Sequence, residues 1–293
     1  MKSTYVQPLV TCIKNHNNQK GFTIVELIVA TTISIILGMI ILTFMGNQSQ
    51  KFNEQKYTSE IQLEIRNAMA YISDYVRLAG NGVPLNGKWP VIEGTDGGDE
   101  ATDYISVMGC YVDVFVETTQ NMGSEFDQIE IEDNDDIEVG DLASITDGIN
   151  QEIFMITGVD GLLLSHETSD PWNESNELDY TYEQGSTISI AASYSFYVEE
   201  DEDGRFHLMV ETQSIEAQEL ISDVDDFQIR YQLTDDTWVD EFDSISDISM
   251  IEITIIARTH DPIKNYIDPV YGDAFKRVQL KAVVRPKLIT EQS

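Results

Sequence analysis

Hydrophobic residues near the N-terminus form one almost uninterrupted run. Across residues 22–45 the chain carries a single charged side chain, Glu26. A helix rises about 1.5 Å per residue, so this run is long enough to cross the roughly 30 Å hydrocarbon core of a bilayer. The pattern predicts a membrane-spanning helix with one carboxylate near its beginning.

Between residues 51 and 79 the apolar residues recur every three or four positions, which is the spacing of one buried helical face. These positions are Tyr57, Ile61, Ile65, Ala68, Ile72, Tyr75 and Ala79. The following segment, Gly80-Asn81-Gly82-Val83-Pro84, contains the residue types that end helices. We expect one helix over residues 22–79, with its second half packed against a globular head.

After Pro84 the pattern changes to an alternation of apolar and polar positions, which is typical of half-buried antiparallel strands. The predicted strands are 103–108, 111–117, 126–132, 142–146, 152–159, 187–198, 206–211, 226–233, 249–257 and 277–284. Residues 199–204 predict a hairpin turn, and residues 166–186 predict a long exposed loop. The expected fold class is α+β, with a long N-terminal transmembrane and spine helix and an antiparallel β-sheet head.

The charges that flank the apolar run predict its orientation and processing. Residues 1–20 contain Lys2, Lys14 and Lys20 and no acidic residue. By the positive-inside rule this segment stays in the cytoplasm and the acidic remainder lies outside. A processing point at Lys20-Gly21-Phe22 precedes the apolar run, whereas a secretory signal is cleaved after its apolar region. The expected division is a leader 1–21, a transmembrane helix 22–45, an amphipathic spine 46–82 and a β-rich head 83–293.

Glu26 is the unusual residue of the apolar run. A carboxylate inside a membrane span costs roughly 2.5–3.5 kcal/mol on insertion scales, which makes it a functional candidate with a partner to be named. Cleavage after Gly21 frees the α-amine of Phe22, about one helical turn from Glu26. Amine and carboxylate can neutralise each other within one chain or between neighbouring chains. A pair between chains would set the axial register of packed helices.

Composition adds a strongly acidic surface to this picture. The chain has 52 acidic and 17 basic residues and a formal net charge of −35. Such a surface repels nucleic acids and anionic membranes, so we expect no nucleic-acid partner, and it suits a solvated domain outside the cytoplasm. Because Cys12 lies in the predicted leader, the mature chain has one thiol, Cys110, which we predict to be buried and inert.

The sequence shows no catalytic constellation. Its four histidines, at positions 16, 166, 207 and 260, form no HExxH pair, and it has no glycine-rich phosphate loop and no G-x-S-x-G elbow. Glu199-x-Asp201-x-Asp203-Gly204 resembles the beginning of a calcium loop, but Val210 stands where the bidentate glutamate belongs. We therefore predict a protein that is not an enzyme and needs no cofactor, and we favour a solvated hairpin turn over a calcium site.

The N-terminal motif resembles a known family. The segment K-G-F-T-I-V-E-L, residues 20–27, is similar to the class III signal of type IV pilins and of type II secretion pseudopilins. The resemblance implies that a prepilin peptidase cuts between Gly21 and Phe22 and N-methylates Phe22. It also implies that Glu26 pairs with the N-terminal amine of an adjacent subunit during filament assembly. The apolar run lacks the proline that many major pilins carry.

Later segments resemble PilW-type minor pilins. They are E-L-I-S-D-V-D-D-F-Q-I-R-Y at residues 219–231, Trp238, the strand 251–258 and the ending Arg285-Pro286-Lys287-Leu288. The resemblance implies a structural minor pilin that resides in the bacterial inner membrane, helps to prime pilus assembly and then lies in the tip complex at the cell surface. The implied partners are other minor pilins, the major pilin, the inner-membrane assembly platform and a tip adhesin. The implied roles are cell adhesion, twitching motility or DNA uptake.

Three other functions compete with this interpretation. A J-type pseudopilin of a type II secretion system shares the N-terminal motif. A membrane-anchored acidic domain that binds calcium or another ligand would work without cleavage at Gly21 and without Glu26. An anchored enzyme has the least support, because no set of catalytic residues is evident.

Overall fold

The computed structural model describes residues 22–84, 90–98, 101–111, 114–125, 127–133, 136–166, 178–213, 215–264 and 266–287. The chain divides into two compact units, Met1–Asn53 and Glu54–Ser293. The described part of the first unit is almost entirely helical, and the second unit combines helix with antiparallel sheets.

A single helix, α1 (Ile24–Leu78), accounts for the predicted run over residues 22–79 and confirms it within two residues at each end. In the first unit the large apolar side chains between Ile24 and Met45 are all more than half exposed. Among the described residues, α1 is the one helix long and apolar enough to cross a membrane, with a mean hydropathy of 2.5 over its most apolar window.

The part of α1 in the second unit buries the predicted stripe. Ile61, Ile65, Ala68 and Ile72 are at most 7% exposed and belong to one hydrophobic core. Tyr57 and Tyr75 are only half-buried, whereas Met69 and Val76 also lie in the core. The helix therefore buries a slightly wider apolar face than the spacing of three and four residues predicts.

Two glycines end α1 as predicted. Gly80 and Gly82 have positive φ angles of 77° and 67°, and the amide of Gly80 donates to the carbonyl of Met108. A Cβ atom at Gly82 would lie 2.8 Å from Sγ of Cys110, so the turn needs glycine for its backbone and for space. Cys110 is a free, buried thiol, in agreement with the sequence prediction, and burial raises the pKa of its thiol.

The head contains fifteen strands within the described residues. They are β1 (Ile92–Thr95), β2 (Tyr104–Gly109), β3 (Phe115–Glu117), β4 (Ile129–Glu130), β5 (Leu142–Thr146), β6 (Gln151–Met155), β7 (Gly158–Asp160), β8 (Leu163–Ser165), β9 (Thr187–Glu200), β10 (Phe206–Thr212), β11 (Gln218–Ile221), β12 (Val224–Leu233), β13 (Trp238–Val239), β14 (Ile248–Arg258) and β15 (Arg277–Val284), with a short 3₁₀ helix at Ile245–Asp247. Each observed strand pair is antiparallel, which confirms the expected α+β class.

These strands form three sheets. The large sheet has the order β1-β2-β9-β10-β11, with β3 and β5 also on β9 and with β6 on β5. The second sheet has the order β13-β12-β14-β15, and a small third sheet has the order β4-β8-β7. Strand β9 is long enough to pair with β3 and β5 along its first half and with β2 and β10 along its second half.

Two hydrophobic cores follow from this arrangement. The first core lies among α1, the part of the large sheet around the second half of β9, and the four-stranded sheet. It contains Phe196, Phe227 and Ile253, which have no exposed area. The second lies in the region of residues 114–190 and contains Ile145, Phe154 and Leu164. Burying a side chain of this size contributes about 1.5–3 kcal/mol, so both cores are substantial sources of stability.

The structure corrects two sequence predictions. The predicted strand 152–159 is interrupted, because β6 pairs with β5 only as far as Met155 and the amide of Thr157 then donates to the carbonyl of Ser165, the last residue of β8. The end of the predicted exposed loop 166–186 is not exposed, because Leu178 and Tyr182 are buried in the second core. Residues 167–177 of that loop lie outside the described residues.

Candidate functional site

The N-terminal end of α1 is organised by a reciprocal pair of hydrogen bonds. The amide of Glu26 donates to Oγ1 of Thr23 at 3.2 Å, and the amide of Thr23 donates to Oε2 of Glu26 at 2.9 Å. The hydroxyl of Thr23 also donates to Oε2 at 3.0 Å. This is a capping box, in which the residue before the helix and its third residue each satisfy one free amide of the other.

The capping box gives Glu26 a role that the sequence analysis missed. The sequence signal was available, since a threonine followed three residues later by a glutamate is the usual signature. Both donors bind the same oxygen, and among the described residues none donates to Oε1 of Glu26. The carboxylate therefore holds the first turn of its own helix while one of its oxygens stays available to another donor.

The neighbouring positions of the predicted site are only partly described. Phe22 is 88% exposed, so nothing in the described chain covers the residue that would become the new N-terminus. Gly21, the other residue of the predicted cleavage point, lies outside the described residues. Cleavage and methylation at Gly21 and Phe22 stay predictions.

Threonine hydroxyls along the apolar run bond to the helix itself. Thr31, Thr32 and Thr43 each donate to a backbone carbonyl four residues earlier, at 3.0, 2.7 and 2.9 Å. A hydroxyl satisfied in this way does not demand a water molecule or a partner chain. The surface that this part of α1 offers is therefore mainly apolar, with the Glu26 carboxylate at one end.

Comparison with known proteins identifies this end of the chain. Residues 16–42 match the family model of the prokaryotic N-terminal methylation motif. The chain has a prepilin-type N-terminus. This match confirms the resemblance to type IV pilin-like proteins that the K-G-F-T-I-V-E-L segment indicated, and it fits a helix that anchors the protein in a membrane.

Other comparisons add little. No curated protein matches the chain. Among solved structures, a chain of the crystal structure of the GspK-GspI-GspJ complex from the enterotoxigenic Escherichia coli type 2 secretion system is similar at a TM-score of 0.31 and 10% identity. The alignment covers 76% of this chain and 97% of that chain. A TM-score this low adds nothing to the fold that the helix and strands already define.

The suggested calcium residues lie at the β9–β10 hairpin. Glu199 belongs to β9 and pairs with His207, so the turn begins two residues later than predicted. Oδ1 of Asp201 accepts the amides of Asp203 and Arg205 at 2.9 and 2.8 Å, and Oδ2 lies 3.0 Å from Nε2 of His207. The amide of Arg205 is the main cause of the lowered pKa of Asp201.

In this turn the hydrogen-bonding groups of Asp201 are paired within the hairpin itself. Both carboxylate oxygens of Asp201 are engaged by the chain, which leaves fewer lone pairs for a cation. Within the part of the chain that the structure describes, no group of three or more His, Cys, Asp or Glu side chains is placed to hold a metal ion. The calcium prediction for Glu199, Asp201 and Asp203 therefore gains no support from the geometry.

A second charged cluster surrounds Arg277 at the start of β15. Its guanidinium donates to both carboxylate oxygens of Asp273 at 2.7 Å each, and its Nε donates to Asp225. The guanidinium carbon also lies 3.8 Å from the ring centre of Tyr271. This fork holds the pKa of Asp273 down at about 2 and raises the pKa of Arg277.

The Arg277 cluster fixes the loop that joins β14 to β15. Asp268 accepts the amides of Val270 and Tyr271 at 2.9 and 3.1 Å and lies 3.8 Å from Arg277. Sequence reasoning missed this cluster because Asp225 is distant in sequence and only the β12–β14–β15 register brings it close. The arrangement is structural, since every charge is paired with another group of the chain.

Buried carboxylates elsewhere in the head are also structural. Asp103 is 3% exposed and accepts the amides of Ile229 and Gly97 at 2.6 and 3.0 Å. Glu152 is 5% exposed and accepts the amide of Asp179 at 2.8 Å. Burial raises the pKa of both acids, while the amide donors act in the opposite direction. Each acid ties a loop to a strand.

Proposed function

We propose that this protein is a structural subunit of a type IV pilus-like filament, and not an enzyme. The observation that carries the proposal is the Thr23–Glu26 capping box, which lies inside the methylation motif and begins a long exposed apolar helix. A soluble protein has no reason to expose such a helix, whereas a membrane and then a bundle of neighbouring helices would cover it.

Processing at the N-terminus is the first step of the proposed function. A prepilin peptidase removes the leader 1–21 by cutting between Gly21 and Phe22, and it methylates the new amine of Phe22. In the capping box the Thr23 amide and hydroxyl stabilise the negative charge of Glu26 by donating hydrogen bonds to its carboxylate. This lowers the cost of holding a carboxylate in the apolar phase.

Assembly is the second step. Oxygen Oε1 of Glu26 accepts a hydrogen bond from the protonated N-terminal amine of an adjacent subunit, while Oε2 keeps its hydrogen bonds from Thr23. A charge-assisted hydrogen bond of this kind fixes the axial register, and packing of residues 22–45 between neighbouring helices supplies most of the attraction. Glu26 thus contributes specificity more than net stability.

Two later segments of the chain support a proposal for the place of the subunit in the filament. The PilW-like sequence 219–231 forms the end of β11 and most of β12, and 251–258 lies in β14. Strands β12 and β14 pair with each other in the four-stranded sheet. On this basis we propose a minor pilin that primes assembly with other minor pilins and the major pilin. It would start in the bacterial inner membrane, engage the assembly platform, and end at the pilus tip, where an adhesin would join it.

A test of this proposal measures incorporation into filaments. The Glu26→Gln variant keeps an amide oxygen that can accept the Thr23 bond, but it cannot neutralise a neighbour's amine. We expect cross-linked complexes with partner subunits to fall about tenfold or more in Glu26→Gln, and the matched Glu60→Gln variant of the same helix to behave as the wild type. Undiminished cross-linking of Glu26→Gln would contradict the proposed amine contact.

The same experiment, repeated with pilus subunits and with type II secretion pseudopilins, separates the two machines. Preferential cross-linking to minor pilins supports the pilus role, and preferential cross-linking to pseudopilins assigns the chain to a secretion pseudopilus.

A further inference from the structure

The outward face of the large sheet carries a groove that the filament function does not use. It is an open groove of about 280 Å³, just below the roughly 300–1,000 Å³ typical of small-molecule sites. The lining residues come from or adjoin β1, β2, β9 and β10 and are mostly polar; they include Glu93, Tyr104, Ser106, Ser193, Ser195 and Glu211.

The strand register arranges the polar groups of this groove in a row. Glu93 pairs with Ser106, Ser106 pairs with Ser195, and Ser195 pairs with Glu211. Four adjacent strands thus present a carboxylate, two hydroxyls and a second carboxylate side by side. Both glutamates are exposed, whereas Ser106 is only 6% exposed. The row has a fixed floor and two acceptor groups at its ends.

The hydroxyls of the groove form a continuous hydrogen-bonded chain. Tyr104 Oη lies 3.0 Å from Ser195 Oγ, Ser195 Oγ lies 3.2 Å from Ser106 Oγ, and Ser106 Oγ lies 2.8 Å from Ser193 Oγ. Within this chain the Ser195 hydroxyl donates to Ser106, whereas either hydroxyl can donate in the Tyr104–Ser195 and Ser106–Ser193 links. The row can therefore donate to a ligand at one end and accept from it along its length.

Aromatic surface lies directly beside the hydroxyl row. Tyr104 is opposite Tyr197 in the sheet, with ring centres 6.5 Å apart, and both rings are partly exposed. The hydroxyl of Tyr197 donates to Oε2 of Glu211 at 3.3 Å, which connects the rings to the carboxylate row. Tyrosine offers an apolar ring face together with a polar edge, so this surface suits a ligand that has both C–H faces and hydroxyls.

Charge limits what the groove can hold. Two carboxylates stand at its ends on a protein with a net charge of −35, so an anionic ligand would be repelled. Carboxylates accept hydrogen bonds without donating any, so the ligand must bring several donors. A saccharide brings neighbouring hydroxyl donors, acceptor oxygens for the serine row and C–H faces for the tyrosine rings.

We infer that this groove binds a neutral saccharide through Glu93, Glu211 and the hydroxyl chain, with Tyr104 stacked against a sugar ring. The site would give the subunit a glycan-recognition activity on the face of the large sheet, independently of whether the filament belongs to a pilus or to a secretion system.

The test uses the full-length processed protein in detergent micelles and an array of neutral hexose and N-acetylhexosamine oligosaccharides with their sialylated counterparts. We expect neutral saccharides to bind, with saturation-transfer NMR signals on the sugar protons. We expect the double variant E93Q/E211Q to lose about tenfold or more in affinity, because an amide is a weaker acceptor than a carboxylate. The control E132Q/E241Q removes the same charge from exposed positions outside the groove and should bind as the wild type does.

Three outcomes would overturn the inference. They are the absence of binding to every neutral saccharide of the array, undiminished binding in E93Q/E211Q, and binding of a sialylated saccharide at least as tight as that of its neutral parent. Because all four substituted glutamates are exposed, equal unfolding temperatures of the two double variants show that neither result arises from a loss of fold.

Discussion

The two halves of α1 are equally helical but place their apolar side chains in opposite environments. In the first half Ile36 is 53% exposed, and in the second half Ile72 has no exposed area. The second half has a partner in its own chain, since two β-sheets cover its apolar face. The first half has none among the described residues, and in the function proposed above a membrane or another subunit would cover it.

One helix can therefore serve two physical functions. Tertiary packing provides most helical stability in proteins, and the second half follows that rule. The first half instead has a local device, the Thr23–Glu26 capping box at its start. Substitutions should therefore have different consequences in the two halves.

The largest expected contrast comes from the same substitution in each half. Ile72→Ala should lower the free energy of unfolding of the head by about 2–5 kcal/mol, because it leaves a cavity in a packed core. Ile36→Ala should change that free energy by no more than about 0.5 kcal/mol. Denaturant unfolding of both full-length variants in micelles, followed by tryptophan fluorescence, measures the difference. Equal effects would refute the division of α1 into two environments.

A second contrast concerns charge in the head. Arg277→Leu removes the cation shared by Asp225, Asp268 and Asp273, of which Asp225 retains Arg258. We expect the free energy of unfolding to fall by about 1–3 kcal/mol, less than the cost of breaking a fully buried pair, because solvent screens the partly exposed Asp273. Arg277→Lys retains the charge but loses the bidentate fork. Its free energy of unfolding should therefore lie between those of the wild type and Arg277→Leu. The measurement is again denaturant unfolding. A wild-type midpoint for Arg277→Leu would show that the cluster does not hold the β14–β15 loop.

The capping box predicts a smaller and strictly local effect in the first half. Thr23→Ala should speed amide exchange in the first turn of α1 by about 2- to 30-fold, equivalent to the usual 0.5–2 kcal/mol of an N-cap. Thr23→Ser keeps the hydroxyl and should exchange like the wild type. Hydrogen exchange in micelles, read residue by residue by NMR, tests this. Faster exchange that extended to Ile72 would show a global effect and contradict the local role.

The smallest effect is a pH dependence of the head. Arg277 lowers the pKa of Asp273 to about 2, below the roughly 3.9 of an unfolded aspartate. The stabilisation is therefore complete above about pH 4 and is lost as the pH falls toward 2. Thermal unfolding between pH 2 and pH 6 should show a steeper decline for the wild type than for Asp273→Asn. Parallel curves would mean that another carboxylate carries the acid sensitivity.

Periodicity and residue type were sufficient to predict α1, the glycine stop after it and most of the longer strands, because each of these signals is local. Short strands such as β1 and β13 were missed, since four or two residues carry too little alternation. At Thr157 the chain changes from one pairing strand to another. Such a change depends on the neighbouring strands and cannot be read from the sequence of the segment itself. The same holds for the burial of Leu178 and Tyr182, which a polar, loop-like sequence conceals.

The candidate sites divide in the same way. Glu26 was selected as a candidate because it is the one charge in an apolar run, and its capping partner Thr23 could have been predicted from the spacing of three residues. The Arg277 cluster and the Ser106–Ser195 row could not be predicted from the sequence, because strand register brings together residues that are far apart in the chain. Local chemistry is thus predictable from this sequence, whereas sites formed across a sheet require the structure.

Mass spectrometry of the mature N-terminus shows whether the chain is processed into a filament subunit. The protein is expressed with and without a prepilin peptidase and its first residue is determined. We expect an N-methylated Phe22 as the first residue, only when the peptidase is present. An intact Met1 in the presence of an active peptidase, or cleavage at any other bond, would contradict it.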